Sequence, residues 1–154
     1  GSCYYLEDGV EQHNIFDHNL AAYVHVIGTP SAGGGQDGSM HVQSDDLEDP
    51  GDAAAAGFWI SNALNTFIDN AASGGWAGFS IPILDKPVRN HRLQTYFNPG
   101  QRPTKLFKGN TAHSSGYMWQ RGSCIYIGGK LWEERGKLYY SSGRYEHDTR
   151  SSDG

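Results

Sequence analysis

The chain has 154 residues, enough for one domain with a real core, and 37% of them are hydrophobic against 19% charged, which excludes a disordered chain. Twelve basic against 17 acidic residues leave a net charge of −5, and no Lys/Arg run reaches three. Nucleic acid is therefore excluded as the main partner, since phosphate binding needs clustered basic charge, and no run of 18 apolar residues marks a membrane-spanning helix.

Twenty-one glycines are about twice the usual share of roughly 7%, and Asn, Ser and Asp are frequent as well. These residues tolerate the backbone angles that turns need. Long helical patterns are scarce, so the expectation is mostly β structure. The first expected strand is Tyr4-Tyr5-Leu6. It runs into the acidic stretch Glu7, Asp8 and Glu11, with His18 a short way on. Then comes the first of three similar segments, Asn14-Ile15-Phe16-Asp17-His18-Asn19-Leu20-Ala21.

Residues 28–57 follow as an expected loop, rich in Gly, Asp and Ser. Asp45, Asp46, Glu48, Asp49 and Asp52 there offer oxygen ligands for Ca2+, without EF-hand spacing; a solvated loop is the expectation. A strand is expected at Gly57-Phe58-Trp59-Ile60, then the second segment, Asn65-Thr66-Phe67-Ile68-Asp69-Asn70-Ala71-Ala72. Trp76, flanked by Gly74, Gly75 and Gly78, is expected to be exposed. Gly78 to Ile81 reads as another strand. Residues 82–103, with Pro82, Pro87, Pro99 and Pro103, read as a second loop, and Lys86, Arg89, His91 and Arg92 form a local basic patch in it.

The third segment is Lys105-Leu106-Phe107-Lys108-Gly109-Asn110-Thr111-Ala112, and His113 after it is expected to be buried and satisfied. Strands are expected at Gly116–Trp119, Cys124–Ile127 and Lys130–Trp132, and the tail from Arg144 is polar. The three segments share Phe-x-x-Asn-x-Ala at spacings of 51 and 40 residues. Self-similarity of this kind points to a solenoid in which equivalent side chains stack. Phe16, Phe67 and Phe107 should form an interior column, Asn19, Asn70 and Asn110 an amide ladder at equivalent turns, and Ala21, Ala72 and Ala112 should pack where space is tight. Each unit should hold two coils or carry an insertion.

The ordered matches over about residues 4–119 resemble the β-helical ectodomains that accompany G8 domains. That family includes fibrocystin, its fibrocystin-like relative and the cell-migration-inducing hyaluronan-binding protein. They are Tyr5-Leu6-Glu7-Asp8-Gly9-Val10-Glu11 with Asn14 and His18 to Ala21, then Phe58-Trp59-Ile60-Ser61-Asn62 with Asn65 and Asn70 to Ala72, then Phe107, Asn110 and Ala112-His113-Ser114. The resemblance implies an all-β, right-handed parallel β-helix (a pectate-lyase-like solenoid of PbH1 repeats), a secreted or cell-surface location and dealings with a polysaccharide such as hyaluronan. The chain departs from the pattern in its Gly- and Asp-rich 28–57 loop and at Ser61, and it holds no G8 domain.

The expected layout is one β-helix unit over 1–154, open at both ends, cut from a longer protein. Its partners are flanking coils of the same chain and a polysaccharide. Glu7, Asp8, Glu11 and His18 are the candidate catalytic residues. Glycoside hydrolysis needs two carboxylates, and a lyase needs a base beside a sugar acid. Against this stands a purely structural role, in which Glu7 and Asp8 cap the turn before Gly9. Trp76, Trp59 and His113 are the candidate substrate-binding residues, as flat rings suit a pyranose face. The seven histidines lack zinc-ligand spacing, so no metal site is expected. Cys3 and Cys124 are either two buried thiols or a disulfide. The rival function is a non-catalytic adhesion or receptor ectodomain.

Overall fold

A computed structural model of the chain describes residues 1–25, 55–116 and 123–141. The acidic run at 45–52, Trp119, His41, His147 and the tail from Arg144 lie outside these.

Eleven strands are described: β1 (Tyr4–Leu6), β2 (Ile15–Asp17), β3 (Leu20–Val24), β4 (Ala56–Ile60), β5 (Thr66–Ile68), β6 (Ala71–Gly74), β7 (Ala77–Leu84), β8 (Leu106–Lys108), β9 (Thr111–His113), β10 (Ser123–Glu134) and β11 (Lys137–Ser141). They form three sheets. Sheet A has the order β1-β4-β7-β10-β11, sheet B β2-β5-β8 and sheet C β3-β6-β9. Every third strand along the chain therefore returns to the same sheet, one layer on. All pairings are parallel except β10 with β11. Each coil thus visits sheets A, B and C in turn.

Each repeat is one coil carrying an insertion, and not two coils. The strands on either side of the insertions stay in register, with Phe16 opposite Phe67 and Phe67 opposite Phe107. The expected loops begin or end inside strands: β4 starts at Ala56, and β7 runs on through Pro82 to Leu84. The second insertion contains two short 3-10 turns, Arg89–His91 and Pro99–Gln101. One described pairing departs from the expected parallel winding. The hairpin strand β11 lies antiparallel on the far edge of β10.

Two apolar clusters result. One lies within the coils and holds Leu6, Ala21, Phe58, Ile60, Phe67, Ala72 and Phe79, with Phe16 and Phe107 packed against it. The expected Phe column exists. Phe16 stacks on Phe67 with centroids 4.8 Å apart and planes at 3°, and Phe107 follows at 6.1 Å and 45°. A second column went unforeseen: Tyr4 on Phe58 at 4.5 Å and Phe58 on Phe79 at 4.7 Å, both stacked. The two columns meet edge to face, Phe58 to Phe67 at 90°, an arrangement that aromatic quadrupoles favour.

The other cluster holds Trp59, Trp76, Leu84, Val88, Leu131, Leu138 and Tyr140. Adjacent strand residues face opposite ways, so Phe58 and Trp59 go to different clusters. Both faces of β4 are covered, and all five of its residues are buried. Burial of its hydroxyl pushes Tyr140 well above the ordinary tyrosine pKa, and the neighbouring Tyr126 adds to the effect.

The alanine column is also present, and glycines face it. A Cβ on Gly78 would lie 2.4 Å from Ala112 Cβ and 2.8 Å from the Cys124 carbonyl oxygen. A Cβ on Gly57 would lie 2.6 Å from the Gly78 carbonyl. Replacing Gly78 with Ala should destabilise the chain by about 2 kcal/mol through overpacking against backbone. Chemical denaturation would measure it, and an unchanged midpoint would mean that sheets A and C are not held this close.

Candidate functional site

The coil corners set the site's frame. Asn70 is 1% exposed and sits in the middle of the expected ladder. Its Oδ1 accepts from the Asn19 backbone N–H at 2.9 Å and from Asn19 Nδ2 at 3.0 Å. Its Nδ2 donates to the Phe16 carbonyl at 2.9 Å and to Asn110 Oδ1 at 2.8 Å. Asn110 repeats the pattern toward Phe67. A second ladder lies two residues before each Phe: Asn65 Oδ1 accepts from Asn14 N–H at 2.8 Å and Nδ2 at 3.0 Å. The shared Asn-x-Phe spacing was its sequence signal, and it ends in the third coil because Lys105 takes the position.

The residue before each ladder Asn has a left-handed backbone: His18 (φ 55°), Asp69 (φ 51°) and Gly109 (φ 68°). This column brings His18 against Asp17, and its Nε2 lies 3.8 Å from Asp69 on the next coil. The hydrogen bond and the charge of Asp17, and to a lesser degree Asp69, raise the His18 pKa above its ordinary 6.5. The protonated form is therefore favoured by folding. This contribution to stability is full below pH 6.5 and fades as pH rises through the folded-state value. Asp17→Asn should lower the His18 pKa measured by NMR titration. An unchanged value would remove Asp17 as the cause.

Glu7, Asp8 and Glu11 do come together, in the turn after β1. Glu11, and not Glu7 or Asp8, caps that turn. Its carboxylate accepts from the backbone N–H groups of Glu7, Asp8 and Gly9 at 2.9, 2.9 and 2.8 Å. Glu7 instead pairs with Arg89 Nε at 3.3 Å. The Asp8 side chain is 6% exposed, and its Oδ2 meets His91 Nδ1 at 2.6 Å. Its other oxygen, Oδ1, is buried without a hydrogen-bond partner among the described residues. His18 makes its described contacts at the β2–β3 corner and does not join this turn.

The residues that meet the acidic turn come from the second insertion. Val88 N–H donates to the Asp8 carbonyl at 3.2 Å and fixes the segment across the first coil. The Arg89 N–H donates to Glu133 Oε2 at 2.6 Å, and Arg92 Nε lies 3.8 Å from Glu133 Oε1. A cleft of about 410 Å3 opens here, lined by Arg89, Asn90, Arg92, Glu133 and Gly136. A second, of about 490 Å3, is lined by Asp85, Lys86, Lys130, Leu131, Trp132 and Glu133. The sequence had marked Lys86, Arg89, His91 and Arg92 as a patch. What it lacked was the β10–β11 side of the shelf, which approaches only through tertiary pairing.

The expected sugar-facing rings are placed differently. Trp59 is 0% and Trp76 5% exposed, both in the cluster under Tyr140. The glycines around Trp76 let the chain bend the ring inward, so neither ring offers a face to solvent. Among the described aromatics, Tyr23 and Tyr96 are the most exposed, at 87% and 85%. His113, expected buried, is exposed at the end of β9, where its Nδ1 meets the Ser114 hydroxyl. Cys3 and Cys124 are exposed thiols, neither buried nor paired. No group of three His, Cys, Asp or Glu among the described residues is placed to hold a metal ion, and no described helix is long and apolar enough to cross a membrane.

Comparison with known proteins places the chain. It is 55% identical over 151 residues to the protein rliB of Dictyostelium discoideum, covering 97% of this chain and 13% of rliB. It is 54% identical over 151 residues to the communication mutant protein F of the same organism, covering 97% of this chain and 14% of that protein. Mouse fibrocystin-L is 31% identical over 143 residues, covering 80% of this chain and 3% of its own length. The chain thus spans a small part of each of these relatives. No solved structure matches. The profile of the CEMIP beta-helix family matches residues 1–119, and the chain belongs to that family.

Proposed function

We propose that this chain is an extracellular, right-handed parallel β-helix of pectate-lyase-like winding that binds an acidic polysaccharide such as hyaluronan. In this reading it is one stretch of a longer solenoid, with coils of the same protein as neighbours. The right hand rests on the rule that parallel crossover connections are right-handed in about 98% of cases. The extracellular location rests on the family and on the fibrocystin-L relationship. The observation that carries binding is the shelf between the second insertion and the hairpin, where Lys86, Lys130 and Trp132 line one cleft. An indole face packs on the apolar side of a pyranose ring, and the Lys86 ammonium, with that of Lys130 shared with Asp85 at 3.5 Å, suits a carboxylate on alternate sugars.

Titration calorimetry with hyaluronan oligosaccharides tests it. Saturable binding is expected, weakened about tenfold or more by Trp132→Ala or Lys130→Ala and unchanged by Tyr23→Ala. Absence of saturable binding to hyaluronan and to other uronic-acid polymers would overturn the proposal. A second reading, an adhesion or receptor ectodomain without catalysis, is favoured by the engagement of Glu7, Asp8 and Glu11 in ion pairs and turn bonds.

A further inference from the structure

The second insertion, between β7 and β8, differs in charge from the rest of the molecule. Residues 85–105 hold Lys86, Arg89, Arg92, Arg102 and Lys105 against Asp85, a net +4. The chain as a whole is −5, so the residues outside the insertion sum to −9. Some of these cations are already engaged. Glu7 pairs with Arg89, and Glu133 and the Arg89 carbonyl hold Arg92. Lys86, Arg102 and Lys105 are exposed and have no acidic partner among the described residues. The insertion also carries two projecting apolar side chains. Gln94 N–H donates to the His91 carbonyl at 2.9 Å, and Phe97 N–H to the Gln94 carbonyl at 3.2 Å. Each bond closes a four-residue turn, and Leu93 and Tyr96 take the same third place in the two turns. They are 86% and 85% exposed. The Arg102 guanidinium lies 4.3 Å from the centre of the adjacent Phe97 ring, which sets a free cation at the same tip. The base under the tip is firm: Val88 and Pro99 are buried, and Val88 N–H, Arg89 and His91 are bonded to the first coil.

We propose that this tip docks on an anionic lipid surface, with Leu93 and Tyr96 entering the headgroup layer and Arg102 meeting lipid charge beside them. A stable protein partner needs about 800 Å2 of matching surface on each side, more than two projecting side chains supply. A sugar ring is met by a flat aromatic face, and leucine has none. A lipid interface asks for less shape and for this mixture of groups. The Leu93 side chain goes below the headgroups, the Tyr96 ring lies at their level with its hydroxyl in water, and cations at the base draw the tip toward anionic lipid. Lys86 and Lys105 add to the attracting field. The −9 of the remaining chain is repelled by the same surface, so the molecule approaches with the insertion foremost. Leu93, Tyr96 and Arg102 do not line either of the two clefts described above, and the proposal is independent of polysaccharide binding there.

Co-sedimentation of the full chain with vesicles tests it, with phosphatidylcholine mixed with phosphatidylserine in one set and phosphatidylcholine alone in the other. Partition onto the mixed vesicles is expected, weakening as salt is raised, with little on phosphatidylcholine alone. Leu93→Ser combined with Tyr96→Ser should lower the partition about tenfold or more, and Arg102→Gln should lower it about fivefold. Tyr23→Ser, at an equally exposed ring outside the insertion, should leave it unchanged. The tip side chains are exposed, so an unchanged melting temperature is expected for each variant and separates lost docking from lost folding. No partition onto the anionic vesicles, an equal loss in Tyr23→Ser, or equally tight binding to soluble polyglutamate would overturn the proposal. If the tip variants lose affinity for hyaluronan and not for vesicles, the tip belongs to a polysaccharide site and the proposal falls.

Discussion

Replacing Asn70 with Ala is expected to cost about 3 kcal/mol, read as a lower denaturation midpoint. The side chain is buried, and its loss leaves the Asn19 backbone N–H without its partner and takes one donor each from the Phe16 carbonyl and Asn110 Oδ1. An orphaned buried polar group costs roughly 1–3 kcal/mol, and the lost bonds to the Phe16 carbonyl and Asn110 put this position at the upper end. The same change at Asn110 takes the acceptor from the Asn70 backbone N–H and Nδ2, but this side chain is only half-buried and has no rung beyond it among the described residues, so it should cost less, about 1–2 kcal/mol. Equal effects at the two positions would show that the ladder does not distinguish its middle rung from its last.

Phe58→Ala should have the larger effect, about 4 kcal/mol. The ring is 1% exposed, stacks between Tyr4 and Phe79, and meets Phe16 and Phe67 edge on. Removing it opens a void that four other rings line, and stacked strands cannot close in because their spacing is fixed by backbone hydrogen bonds near 4.8 Å. Phe58→Leu should recover about half of the loss. Phe107→Ala, at a half-buried rung, should cost about 2 kcal/mol. If Phe58→Ala cost no more than Phe107→Ala, the second column would not be the centre of the core.

The coils were legible because their signal is repetitive. Phe, Asn and Ala recur at fixed offsets, and each recurrence names a rung that the strand registers confirm. The Tyr4–Phe58–Phe79 column was harder to read. Its members share no motif beyond a glycine before two of them, and Tyr stands where the others have Phe. The outer cluster was illegible for a different reason. Trp59, Trp76 and Tyr140 are far apart in sequence and are buried by the hairpin and the second insertion, which no repeat announces. Exposure of Trp76 was inferred from its glycine neighbours, and tertiary packing overrode that local inference. The acidic turn was found from the sequence, but its partners were not. Arg89 and His91 reach Glu7 and Asp8 across about eighty residues, and only the fold brings them there.

The spacing of the rungs bears on how the chain reaches this state. Asn19 meets Asn70 51 residues away, and Asn70 meets Asn110 40 away, yet Phe58 meets Phe79 only 21 positions on. Closing a loop of 50 rather than 20 residues adds less than about 1 kcal/mol of chain entropy. The insertions therefore weigh little on equilibrium stability. They weigh more on the kinetics, because each coil is stitched to the next by pairings between distant residues, and folding slows as such pairings dominate. The shortest closure between successive coils lies between β4 and β7, at the centre of sheet A. Assembly is expected to begin there and to spread outward coil by coil, so that refolding rates respond to changes at Phe58 and Phe79 and unfolding rates to changes at Phe16 and Phe107.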